Sequence, residues 1–127
     1  MLKYLIVGVG GFVGSVMRFW VGTLLTSKFG TRVPWGTFAV NTTGSFLIGL
    51  IVTILVARTD LSPNWRYLIP IGFIGGYTTF SAFEYDTFRS FESGDHLIAL
   101  LNVVGSVVAG FLCVWLGVLA GRALEHQ

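Results

Sequence analysis

Gly75-Gly76-Tyr77-Thr78-Thr79-Phe80-Ser81-Ala82-Phe83 lies inside a hydrophobic run, and a glycine pair followed by hydroxyl residues is poor material for an uninterrupted helix. Hydrocarbon offers no water to an open backbone. Amides and carbonyls freed at that depth must face protein or a water-filled cavity, so a break there points to an ion or substrate site. The stretch predicts a membrane helix broken for transport.

The composition of the whole chain agrees. At 54% hydrophobic and 11% charged residues, the 127-residue sequence falls far below the roughly 25% charge of a soluble domain. Apolar segments at 4–27, 33–57, 66–88 and 97–121 each supply the roughly 20 residues that cross about 30 Å of hydrocarbon. The expected fold is an all-α membrane protein of four transmembrane helices, the third broken. Short connections make 1–127 a single four-span domain, with no soluble domain, linker or low-complexity tail. Lys3 ahead of an apolar run imitates a secretory signal, but no small-residue cleavage site follows, and Gly10, Gly14 and Arg18 continue a helix face. The first span is expected to be retained.

Several function classes drop out. The net charge is only +2 and the basic residues are dispersed, which disfavours nucleic acid as a partner. Cys113 sits mid-span, where a lone thiol serves as a small core hydrophobe. His96, placed in a loop, and His126, at the C-terminus, have no second ligand at metal spacing, so no side-chain metal cluster is expected. There is no P-loop or catalytic constellation, and an enzyme is not expected. Glu84 and Asp86 fall at the end of the third span rather than at a span centre.

The polar residues within the spans are more informative. Thr37, Asn41 and Ser45 follow at i, i+4 down one face of the second span, and Asn102 and Ser106 repeat the spacing in the fourth. Such side chains serve either as interhelical glue or as neutral hydrogen-bond donors for an anion. Neutral donors can replace part of an anion's hydration shell without trapping it, which conduction requires. Phe80 and Phe83, three apart, share a face if the helix resumes after the break, and their positive ring edges can favour an anion. Arg18 stands about 22 Å of helix beyond Lys3, either snorkelling or attracting anions at a vestibule. Small residues at four-residue spacing, among them Gly10/Gly14, Gly72/Gly76 and Gly117/Gly121, read as close helix packing.

Orientation is nearly undetermined. Lys3, Arg58, Arg66 and Arg122 fall on one side against Lys28, Arg32 and Arg89 on the other, to which Arg18 can be added. The positive-inside rule gives such a chain little instruction. Four helices are also few to enclose a pore, and no inverted repeat is visible. An antiparallel, dual-topology homodimer is the economical solution, since its twofold axis supplies the inversion that larger transporters encode internally.

Three motifs, in order, carry a resemblance: G-x-x-x-R from Gly14 to Arg18, G-T-x-x-x-N over Gly36, Thr37 and Asn41, and G-G-x-T-T-F-S-x-F from Gly75 to Phe83. Through them the chain resembles the Fluc/CrcB family of fluoride channels over essentially its whole length. The resemblance implies a dual-topology homodimer in the plasma (inner) membrane, with two fluoride pores lined from both subunits. It implies that Phe80 and Phe83 face fluoride and that Asn41 is a pore donor, with Thr37, Ser81 and Ser106 at polar pore positions and Arg18 as the basic residue of the first span. It further implies a structural sodium ion on the dimer axis, held by the backbone carbonyls of Gly75 and Thr78 of both subunits, an oxygen set suited to a hard cation. Ala82 stands where many relatives have a hydroxyl residue and Gly110 where some have a second serine, so the polar route near the fourth span is expected to be shorter or more hydrated.

A passive fluoride pore is chemically intelligible. Hydrogen fluoride crosses membranes as a neutral acid and dissociates in the more alkaline cytoplasm, and an inside-negative potential then expels the anion through a selective pore. The rival reading is a proton-coupled small multidrug-type exporter, which needs a titratable carboxylate in the first span, where this chain has Arg18 and no acid.

The near balance of charge makes topology testable. Two lysines added between Ser62 and Trp65 should draw that loop and both termini to the cytoplasm, as read by impermeant labelling of a C-terminal cysteine in a Cys113→Ser background. Activity should fall, and should return on co-expression with a partner biased the other way. Full activity from uniformly oriented chains would exclude the antiparallel arrangement.

Overall fold

A computed structural model describes residues 1–125, so His126 and the expectation placed on it lie outside the described residues. Helices α1 (Leu2–Phe29), α2 (Trp35–Ala57) and α6 (His96–Glu125) are each long and apolar enough to cross a membrane. Between α2 and α6 runs a segmented third stretch: α3 (Asn64–Arg66), a π-helical segment (Tyr67–Ile74), α4 (Gly75–Tyr77) and α5 (Phe80–Glu92). The first helix stops at Gly30, whose φ of 80° suits glycine and whose N–H still reaches the Thr26 carbonyl at 2.9 Å. His96 opens α6 instead of lying in a loop, and its ring sits 4.8 Å from that of Phe91.

The third stretch departs most from a simple span. Pro70 removes one amide from the ladder, and the helix widens around it: the Gly75 N–H reaches back to the carbonyl of Pro70 as well as that of Gly72. The interruption itself falls later than the glycine pair suggests. Gly75 and Gly76 are helical, and the chain becomes extended at Thr78 (φ −80°, ψ 158°) and Thr79 (φ −152°, ψ 120°). Gly76 is small for packing rather than for breaking. A Cβ there would lie 2.9 Å from the Gly11 Cα.

The bundle is held along two glycine seams. On one, Gly10 and Gly14 of α1 meet the π-helical segment and α4. A Cβ on Gly14 would run into the Phe73 carbonyl oxygen and stand 2.9 Å from the Tyr77 nitrogen. On the other, Gly49 of α2 and Gly117 of α6 face each other's helices, with Cβ positions 3.2 Å from the Val118 nitrogen and 2.9 Å from the Leu50 nitrogen. In lipid no hydrophobic force drives helices together, so close backbone approach of this kind supplies the association. The loops are tied too. Arg32 pairs with Asp95 at 3.1 Å, and its hydrogen bond holds the Asp95 carboxyl below the usual carboxylate range. Arg66 donates to the Leu55 carbonyl at 3.3 Å, capping the end of α2.

The seams separate two kinds of glycine. Gly14→Ala should cost at least about 1–3 kcal/mol, the usual range for overpacking, because its obstacles are backbone atoms. Gly8→Ala and Gly105→Ala, which meet nothing within 4 Å, should be tolerated. Unfolding midpoints of the three purified variants would check this, and equal loss in all of them would refute the seam.

Candidate functional site

The break is built by α2. Asn41 Nδ2 donates to the Thr79 carbonyl at 2.9 Å, and Asn41 Oδ1 accepts the Thr79 N–H at 2.7 Å. The two bonds fix the orientation of the amide, because a flip would set oxygen against oxygen and hydrogen against hydrogen. Two further contacts follow on the same helix. The Tyr77 hydroxyl lies 2.9 Å from Thr43 Oγ1. Thr43 spends its own hydrogen on the Ala39 carbonyl at 2.6 Å, so Tyr77 is the donor. Gly44 leaves room for the Thr78 methyl group, which a Cβ at that position would strike.

The break takes the helical partners from the carbonyls of Gly75, Gly76, Tyr77 and Thr78, and Gly76 alone gains a side-chain donor, Ser15 Oγ at 3.5 Å. In a continuous helix the Thr79 N–H would bond to the Gly75 carbonyl, and the Ala82 N–H to that of Thr78. Here Thr79 donates to Asn41, and Ala82 donates to Thr79 Oγ1 at 3.3 Å. Gly75 and Thr78 thus keep oxygens without their helical partners, and Gly75 is exposed. Such oxygens are hard ligands, and they fit a hard cation better than any side chain nearby. Among the described residues no group of three or more His, Cys, Asp or Glu could hold a metal.

Beside the break lies an open cleft of about 290 Å³, lined by Asn41, Gly44, Ser45, Ile48, Ile74, Thr78, Thr79 and Phe80. Asn41 has used one of its two amide hydrogens, so the second remains for the cleft. Ser45 lines the same wall, with its hydroxyl 3.5 Å from where a Cβ on Gly110 of α6 would stand. Phe80 and Phe83 sit with ring centroids 5.8 Å apart, but only Phe83 is buried, and Phe80 is 74% exposed. The cleft is thus open along the side where Phe80 is exposed.

Other candidates from the sequence are engaged elsewhere. The Thr37 hydroxyl lies 2.9 Å from Asp86 Oδ2 and 3.1 Å from the Pro34 carbonyl, away from the cleft lining. Ser106 donates at 3.4 Å to Asn102 Oδ1. Asn102 in turn donates to Thr87 Oγ1 at 2.8 Å, and Thr87 to the Phe83 carbonyl at 2.9 Å. Ser81 is exposed outside the cleft, and Arg18 is half-buried, with no hydrogen bond or ion pair among the described residues. Of the polar stripe, Asn41 and Ser45 line the cleft, while Thr37, Asn102 and Ser106 fasten α2 and α6 around α5. Tyr77, Thr43 and Gly44 escaped sequence reasoning. A tyrosine one residue before the threonine pair, with a threonine two residues after Asn41, was the available signal.

The family described as CrcB-like protein, Camphor Resistance (CrcB), matches residues 5–118. A fluoride-specific ion channel FluC of Acidobacterium capsulatum is 50% identical over 123 residues, 97% of this chain and 98% of that protein. Its counterpart in Solibacter usitatus is 46% identical, covering 95% of this chain and 99% of its own length. That of Geobacter sp. strain M21 is 46% identical over 90% of this chain and 92% of its own.

The buried relay from α6 gives a test of structure alone. Asn102→Ala leaves Thr87 without its incoming donor and should cost about 1 kcal/mol, within the range measured for interhelical hydrogen bonds in membranes. Ser106→Ala, which removes a longer and less buried bond, should cost less than half as much. Unfolding free energies in one detergent would check the order, and a larger loss in Ser106→Ala would contradict it.

Proposed function

The chain belongs to the CrcB-like family, and from that premise we propose that it is a fluoride-selective channel through which fluoride leaves the cytoplasm passively. The observation that carries the reading is that relatives named as fluoride-specific ion channels align over 90–97% of this chain. It is a multi-pass membrane protein, with three helices able to cross by length and hydropathy. The broken stretch is the fourth crossing.

The geometry supports this in three ways. The cleft combines a neutral donor, the remaining amide hydrogen of Asn41, with the Phe80 ring, the mixture expected where an anion is partly dehydrated but not trapped. Phe83 backs Phe80, so an anion passing along α5 meets two rings in succession. The cleft is also open and Phe80 exposed, so a second copy is needed to close the passage. In an antiparallel homodimer each passage would then be lined from both subunits, with Arg18 at a mouth and Thr37, Ser81 and Ser106 at its polar margins.

The same symmetry suits the freed carbonyls. Gly75 and Thr78 of one chain offer two oxygens, and a copy related by a twofold axis offers the same pair, enough for a structural sodium ion on that axis. Bound there, the cation would neutralise the converging carbonyl dipoles and pin the two breaks together. The rival exporter mechanism requires a proton-carrying carboxylate in α1, whose sequence contains no acidic residue.

Purified protein in liposomes should release fluoride down its gradient, read by a fluoride electrode, without a sodium or proton gradient and without passing chloride. Phe80→Ile and Phe83→Ile should each reduce that flux by at least tenfold while leaving a dimer on gel filtration. Normal flux in both would remove the rings from the pathway. Proton-driven movement of organic cations in place of fluoride would establish the exporter.

A further inference from the structure

Three consecutive residues of the break are each held by a different residue of one turn of α2. Thr79 is clamped at its backbone by the Asn41 amide, Tyr77 donates its hydroxyl to Thr43, and the Thr78 methyl rests where Gly44 has no side chain. Tyr77 is buried at 7% exposure, and the Phe73 ring is stacked on its own with centroids 5.9 Å apart, so its position is tightly defined. These contacts lie on the same three residues whose conformation frees the Gly75 and Thr78 carbonyls.

We infer that Asn41, Thr43 and Gly44 form a cradle whose task is to position those two carbonyls, making Asn41, Thr43 and Tyr77 positioning residues for the cation at the break. The inference rests on the reading that a sodium ion binds there. The reasoning is geometric. The direction of a carbonyl oxygen is set by the ψ angle of its own residue, and Thr78 has ψ 158° where a helix has about −42°. The bonds of Thr78 itself do not hold that value, since its N–H and its hydroxyl both run back to the Ile74 carbonyl at 3.0 Å and favour helix, and within the third stretch only the longer cap of Thr79 Oγ1 on the Ala82 N–H, at 3.3 Å, opposes them. The opposing constraint comes from α2 at Thr79, one residue on, and is braced at Tyr77, one residue before. Asn41 thereby has two assignments. One amide hydrogen and the carbonyl oxygen hold the break, and the other hydrogen is left for the cleft.

The test titrates sodium against stability, a measurement independent of fluoride flux. Full-length protein in detergent, exchanged into choline at constant ionic strength, should gain thermal stability as sodium is added, because a ligand that binds only the folded state raises its unfolding midpoint. Tyr77→Phe and Thr43→Val should each shift the half-effective sodium concentration upward by about fivefold, the loss of one hydrogen bond's worth of positioning. The double variant should shift it no further than either alone, since both remove the same bond. Gly44→Ala should shift it more, and Thr78→Ser in that background should recover part of the loss by deleting the struck methyl. Tyr77→Phe removes a single hydroxyl, so it remains informative if Gly44→Ala does not fold. Lower midpoints with an unchanged sodium concentration dependence would overturn the cradle while leaving the cation in place. A wild-type protein indifferent to sodium would overturn the cation reading and the inference together.

Discussion

A backbone opened inside an apolar bundle must find replacement hydrogen bonds, and here the Asn41 side chain provides them. Its amide imitates a neighbouring peptide, accepting from the Thr79 N–H and donating to the Thr79 carbonyl. An unpaired buried amide or carbonyl costs about 1–3 kcal/mol, so without Asn41 the extended pair Thr78–Thr79 would be driven back toward helix. Everything notable about the site follows from that substitution. The Gly75 and Thr78 carbonyls lose their helical partners, α5 restarts with Phe80 at its first position, and Phe83 turns inward one helical turn later.

A clamp of this kind works only if α2 and the third stretch are themselves immobile. The two glycine seams provide that. Along α1 and along α6 the backbones approach until a single added methyl would meet main-chain atoms, which leaves few alternative packings. The polar relay from Asn102 through Thr87 to the Phe83 carbonyl then joins α6 to α5, and the Thr37–Asp86 bond joins α2 to it. Amide and hydroxyl donors thus do inside the bundle what the Arg32–Asp95 pair does at its surface.

Much of this was legible in the sequence, because the signals are periodic or compositional. Apolar length gave the crossing helices, and four-residue spacing of small residues gave the seams. The polar stripe and the paired rings singled out Asn41, Phe80 and Phe83. Other features depended on partners far away in the chain. The break fell at Thr78–Thr79 rather than at Gly75–Gly76, since Gly76 is needed against Gly11 and the Asn41 clamp, from 38 residues earlier, pairs with Thr79. A stripe such as Thr37, Asn41 and Ser45 also looks uniform in sequence, yet Thr37 is committed to Asp86 while Asn41 and Ser45 reach the cleft. Spacing tells which side chains share a face. It does not tell which of them already has a partner.

The reliance on neutral groups explains why rigidity matters so much in a chain this short. A fixed positive charge could attract an anion even if misplaced by an ångström, since Coulomb attraction falls off slowly with distance. An amide hydrogen, a serine hydroxyl and a ring edge lose most of their effect over that displacement, because hydrogen bonds and quadrupole contacts demand short range and direction. A passage built from them can match the hydration it strips from an ion only if each group is held in advance, and a mobile wall would spend that match on its own reorganisation. The backbone clamp, the glycine seams and the threonine relays are therefore what the proposed passage would need in order to use weak dipoles at all.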